Sequence, residues 1–328
     1  MNLISILFGS GAAIIALTVH ELGHLVSGLL VGFRFSFLAI GPLLLERTPS
    51  NRFRLALNRF PSFFGGAAAT YPVDTNVLAS RFARVVAGGP IASLILAISA
   101  GAGLAILSPS VPRLRMELEW LCLISFLIFL GTIIPIRNGP FVTDGLRVLR
   151  ILRRGDHGDR ELALITLTGS QFGGIRPRDW DYSLIGLGLQ LHDGSIFECQ
   201  MYLYSYFHAL DAGSFDEARN SLHHALDIAP GMPSTLKADC FLEATFFEAA
   251  YQRCPAIARQ HFASAPKRAL GVLECDRLRA LAAVAVAERD FRKAKEHIAR
   301  ALLCAPSWAT GQRAWLTDLL AITDGHLP

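Results

Sequence analysis

The residues best suited to chemistry are His20-Glu21-Leu22-Gly23-His24, set inside an apolar run that begins at Leu3 and resumes at Leu25. On a helix, His20 and His24 are four positions apart and project from one face, where two neutral imidazoles can bind a single zinc ion. In an H-E-x-x-H arrangement the glutamate is not a ligand. It takes the proton of a water whose pKa zinc lowers to about 7. The setting sharpens the reading, because ionisable groups in hydrocarbon cost at least ~2.5 to 3.5 kcal/mol each and need a compensating role.

A catalytic zinc keeps three protein ligands and one water, so two histidines require one more donor. Asp144, in Thr143-Asp144-Gly145, is the best candidate. It follows the third apolar segment, and Gly145 gives the backbone freedom to turn an oxygen toward the metal.

These groups must be positioned by membrane helices. With 52% hydrophobic residues in 328 and a mean hydropathy of +0.39, the chain is more apolar than an ordinary soluble protein, and the apolar runs lie in the first 140 positions. Three spans are expected: Leu3 to Gly32, which exceeds the ~20 residues a bilayer needs and should bend or end near the motif; Val85 to Leu107, opening with Gly88-Gly89-Pro90; and Leu118 to Ile136. Between the first two, Phe33 to Phe37 and Arg52 to Asn58 alternate apolar and polar, with Thr48-Pro49-Ser50-Asn51 between them, and read as a hairpin. Two roles suit such a hairpin equally: an open edge that holds an extended substrate by strand addition, or a ribbon lying on the membrane surface.

Arginine sets the expected topology. Arg34, Arg47, Arg52, Arg54, Arg59, Arg81 and Arg84 lie between spans one and two, and Arg147, Arg150, Arg153 and Arg154 follow span three, whereas nothing basic precedes the first span. The positive-inside rule places the N-terminus outside and the C-terminal half in the cytoplasm, as for a protein of a cell inner membrane. Met1-Asn2-Leu3 lacks the basic region of a signal peptide and reads as the start of the first helix. A net charge of +4 without a basic, aromatic-interleaved stripe argues against nucleic acid as a partner, and five cysteines scattered through the second half, without C-x-x-C, fit a reducing compartment.

Taken together, His20-Glu21-Leu22-Gly23-His24, Gly88-Gly89-Pro90 and Asp144-Gly145 resemble the motifs of the site-2 protease family of intramembrane zinc metalloproteases. The resemblance covers residues 1 to about 150. It implies a three-helix transmembrane core with Zn2+ held by His20, His24 and Asp144, Glu21 as catalytic base, and a membrane protein or peptide as substrate in the lipid bilayer. The chain departs from that pattern at Ser93 and Thr132, where the family usually has asparagine, and in a longer Pro135 to Asp144 spacing that includes Asn138-Gly139. These departures bear on substrate handling more than on the chemistry. They also motivate the competing expectation of an inactive membrane scaffold.

The second half changes period. Ala218, Leu222, Ala225 and Pro230 have the offsets of the second helix of a tetratricopeptide repeat, and Ala294, Ile298, Ala301 and Pro306 repeat them; Leu278, Leu281, Ala282 and Ala285 fit a first helix, and Ala258 with Pro266 suggests a shortened middle unit. The whole is expected to be mostly α, with a membrane metalloprotease domain at 1–154, a linker at 155–195, and at 196–328 a soluble tetratricopeptide-like domain whose groove takes a cytoplasmic protein partner.

Overall fold

The computed structural model describes residues 3–47, 52–58, 66–108, 110–266, 274–306 and 308–325. The chain divides into two compact units, the first ending at Leu162 and the second running from Ala163 to the C-terminus.

The first unit is built on three helices long and apolar enough to cross a membrane: α1 (Leu3–Leu30), α2 (Leu78–Ile106) and α3 (Pro112–Ile133). Of the expected bend or end near the motif, the structure shows an end: α1 runs unbroken through the motif and stops at Leu30, six residues past His24. It contains no proline, and its only glycine in the motif, Gly23, is where α2 packs. Gly32, at φ +83°, closes it in a Schellman motif in which Phe33 N–H donates to the Gly28 carbonyl at 2.9 Å. Helices α2 and α3 each start earlier than the apolar runs alone suggest, α3 with Pro112 in its first turn. Helix α3 ends at Ile133 because Pro135 drives Ile134 into the extended region, at ψ 126°.

The expected hairpin is a four-stranded sheet of order β3-β2-β1-β4, comprising β1 (Arg34–Ile40), β2 (Leu43–Arg47), β3 (Phe53–Leu57) and β4 (Ala67–Tyr71). The two runs expected to pair directly are thus separated by β2. Gly41, at φ +50°, and Pro42 form a two-residue turn that returns Leu43 opposite Ile40. Such a strand is hard to read in advance because Leu43-Leu44-Leu45 does not alternate. The expected turn at Thr48–Asn51 lies outside the described residues.

After α3, β5 (Arg137–Asn138) and β6 (Phe141–Val142) form a small hairpin around Gly139, at φ +58°, and α4 (Asp144–Arg153) follows. The extra length between Pro135 and Asp144 is this hairpin.

Residues 155–195, expected to be a linker, are largely helical: α5 (Asp156–Phe172), a 3-10 turn at Pro177–Asp179, and α6 (Tyr182–Gly188). In the second unit Leu164, Leu167, Trp180 and Ile185 pack with Met201 and Tyr204 in one buried cluster, so the stretch from Leu164 on contributes to that unit's core. The remaining helices are α7 (Ile196–Ala212), α8 (Phe215–Ile228), α9 (Ser234–Ala250), α10 (Pro255–Ser264), α11 (Glu274–Ala287), α12 (Phe291–Cys304) and α13 (Thr310–Thr323). Short turns join α7 to α8, α9 to α10 and α11 to α12 as three helical hairpins.

The singled-out alanines and leucines of α8, α10, α11 and α12 are buried, apart from a half-buried Leu281, and each proline lies just beyond the second helix of its pair. Helix α13 packs across the first helices of these hairpins. Trp315 of α13 packs 6.2 Å from the ring of Phe207 on α7, 6.0 Å from Phe246 on α9, and beneath the Arg279 guanidinium of α11 at 5.1 Å.

Candidate metal centre

The site begins with a close helix crossing. A Cβ on Gly23 would overlap the Gly88 carbonyl, one on Gly88 would overlap the Gly23 carbonyl, and one on Gly89 would overlap the imidazole of His24. Only hydrogen at these three positions lets α1 and α2 approach until the histidines lie against the α2 backbone.

Both imidazoles are gripped from behind. His24 Nδ1 lies 3.0 Å from the Val85 carbonyl, which can only accept, so Nδ1 carries the proton and Nε2 keeps its lone pair. His20 Nδ1 lies 3.0 Å from the hydroxyl of Ser93, a fully buried residue. The two Nε2 atoms therefore point forward and approach to 3.3 Å.

Asp144 arrives from the start of α4. Thr143 caps that helix through Leu146 N–H, while its hydroxyl donates to the Ile134 carbonyl at 2.7 Å and accepts from Ile136 N–H at 3.0 Å. One side chain thus ties the end of α3 to the beginning of α4. Gly145 is required for a reason beyond turn freedom: a Cβ there would overlap the Ile133 carbonyl. The Arg147 guanidinium, 5.4 Å above the Phe82 ring and 2.9 Å from Glu161 Oε2, holds the next turn of α4. As a result, Asp144 Oδ2 lies 3.5 Å from His20 Nε2 and 3.5 Å from His24 Nε2.

The donor set fits zinc. Ligands at 2.0–2.1 Å in a tetrahedron stand about 3.3 Å apart, and the three separations here are 3.3, 3.5 and 3.5 Å. Two nitrogens and one carboxylate oxygen from two distant segments leave a fourth position open, as a catalytic site requires. Among the described residues this is the group of His, Cys, Asp and Glu close enough to share an ion.

Glu21 lies beside this centre on the sheet side. Its carboxylate accepts a hydrogen bond from Ala68 N–H of β4, the outer strand next to β1. Gly66, at φ +107°, passes so close that a Cβ there would come within 2.7 Å of Glu21 Cγ. Sequence reasoning brought together His20, Glu21, His24 and Asp144; it did not identify Val85, Thr143 or Gly66 as parts of the site. Thr143 has a sequence signal, an N-cap residue directly before an acidic first turn, whereas a backbone carbonyl such as Val85 has none.

The departures separate cleanly. Ser93 reaches a candidate ligand. Thr132 instead donates to the Ile128 carbonyl of its own helix at 2.9 Å.

Three apolar helices of membrane length that frame a His-His-Asp donor set, with a glutamate alongside, define a membrane protein with a metallopeptidase-type centre. The family model of peptidase family M50 matches residues 9–223, more than half of the 328-residue chain, and the chain belongs to that family, the site-2 protease family of zinc metallopeptidases. The match runs into α8, well past the residue ~150 at which the motif resemblance stops. No curated protein and no solved structure matches the chain.

Proposed function

We propose that this chain is an active intramembrane zinc metalloendopeptidase that hydrolyses peptide bonds of membrane-spanning or membrane-proximal polypeptides. The observation that carries the reading is the convergence of His20, His24 and Asp144 on one point beside Glu21, within membrane-length helices. Zinc bound there would polarise the scissile carbonyl and lower the pKa of water.

The chain's own residues do the rest. His20, His24 and Asp144 present their donor atoms with little rearrangement. Glu21 accepts the proton of the attacking water and passes it to the leaving amine. Ala68 N–H steadies the Glu21 carboxylate between those two transfers. Strand β4 is an edge strand beside Glu21, and this favours the first of the two hairpin roles: a substrate unwound from helix would pair with the sheet and present its carbonyl to the site. Ser93, one of the two residues that motivate the inactive-scaffold alternative, hydrogen-bonds His20, which supports an intact donor set.

The arginine bias supports an orientation with the C-terminal unit in the cytoplasm of a cell with an inner membrane. The three helical hairpins with alanine contacts and trailing prolines support a tetratricopeptide-like reading of that unit. A cytoplasmic partner would meet faces other than the one α13 covers.

The test compares membrane-protein fragments accumulating in cells that express wild type or Glu21→Gln. Loss of specific fragments with zinc content retained supports the reading. Identical fragment patterns overturn it.

A further inference from the structure

Ser93 stands out as a buried polar group on a membrane helix, fully enclosed and directed at one atom, His20 Nδ1, at 3.0 Å. An imidazole serves as a ligand only through a nitrogen that carries no proton, so the position of the ring's single proton decides whether His20 Nε2 can bind. For His24 the Val85 carbonyl settles this. For His20 the corresponding group is a side chain, and thus replaceable.

We propose that Ser93 is the positioning residue of His20, accepting the Nδ1 proton so that the Nε2 lone pair stays directed at the point shared with His24 and Asp144. The inference rests on the reading of these three residues as a zinc site. A serine hydroxyl can accept in this way while its own proton goes to a carbonyl of its helix. Without the hydroxyl, the Nδ1 proton would be unpaired in an apolar surrounding. The ring would then turn or shift its proton to Nε2, which removes a ligand. Thr132, the other departure from the family pattern, bonds only to its own helix and provides an internal control.

The experiment measures zinc affinity of the purified, detergent-solubilised full-length protein by chelator competition, and records the visible d–d spectrum after Co2+ substitution. Ser93→Ala should lower affinity by about 10–100-fold and shift the Co2+ bands. Ser93→Thr, which keeps the hydroxyl, should restore most of the affinity, and Thr132→Ala should match wild type. If Ser93→Ala binds as wild type does, or Ser93→Thr loses as much as Ser93→Ala, the positioning role is overturned while the zinc reading stands. Failure of the zinc reading would look different: wild type and His20→Ala would both bind no zinc.

Discussion

Single atoms decide this centre. A methyl group at Gly89 would collide with the His24 ring, so Gly89→Ala should displace a donor by a few tenths of an ångström or more and strip most of the zinc from the purified protein. Metal analysis against wild type, with circular dichroism to check the helices, tests it. Retained stoichiometric zinc would count against the donor geometry described. Thr143→Ala is a milder probe, removing the cap of α4 and the tie to Ile134. A cost of about 0.5–2 kcal/mol in stability is expected, read as a lower midpoint on heating, with zinc affinity falling alongside because Asp144 is the first residue of the released helix. At this scale His20, Glu21, His24 and Asp144 were legible because their types and spacing are rare in apolar surroundings. Ser93 was visible only as a departure from a pattern, since a serine in a membrane helix usually bonds its own backbone.

Elements were legible where period and length agree. The three spans stand out in composition, but their ends were set by turn chemistry: Gly32 after α1, Pro112 opening α3 and Pro135 beyond it. Strand β2 escaped because a run of leucines carries no period of two. In the helical unit, alanine offsets pointed to paired helices, while a buried ionic contact between neighbouring pairs had no local signal. Glu243 on α9 is hydrogen-bonded to Arg279 on α11, and both are almost wholly enclosed. Burial, reinforced by Asp276 and opposed by Arg279, lifts the Glu243 carboxyl from 4.5 to about 7.

A pKa raised in the folded state means that the folded protein binds the proton more tightly than the unfolded chain does. The stabilisation from that proton is complete below about pH 4.5 and is lost as pH rises to about 7, an effect on the order of 3 kcal/mol. The half-buried Asp239 and Asp276 carboxyls are raised in the same direction, chiefly by desolvation. The unfolding midpoint of the helical unit should therefore fall between pH 5 and pH 7.5, and Glu243→Gln should flatten the profile. An equally steep profile in Glu243→Gln would assign the effect elsewhere.

For the molecule as a whole, an ion bound only by the native state stabilises it by mass action, about 2.7 kcal/mol at a hundredfold excess over the dissociation constant. Chelation should lower the melting midpoint of wild type and leave that of His20→Ala unchanged, measured in detergent by differential scanning fluorimetry. Equal shifts in both would place the bound metal somewhere other than His20. The sequence by itself marked three apolar spans, the His20, Glu21, His24 and Asp144 set and the helical second half, because hydropathy, spacing and helix period are local quantities that can be read without packing. Tertiary structure alone decided that the Val85 carbonyl and the Thr143 hydroxyl hold those residues in place, that most of the stretch 155–195 folds into helices, and that α13 packs across α7, α9 and α11. Those outcomes depend on which surfaces meet: Gly88-Gly89 permits a close approach to the motif helix, but only the packed structure sets Gly23 against Gly88.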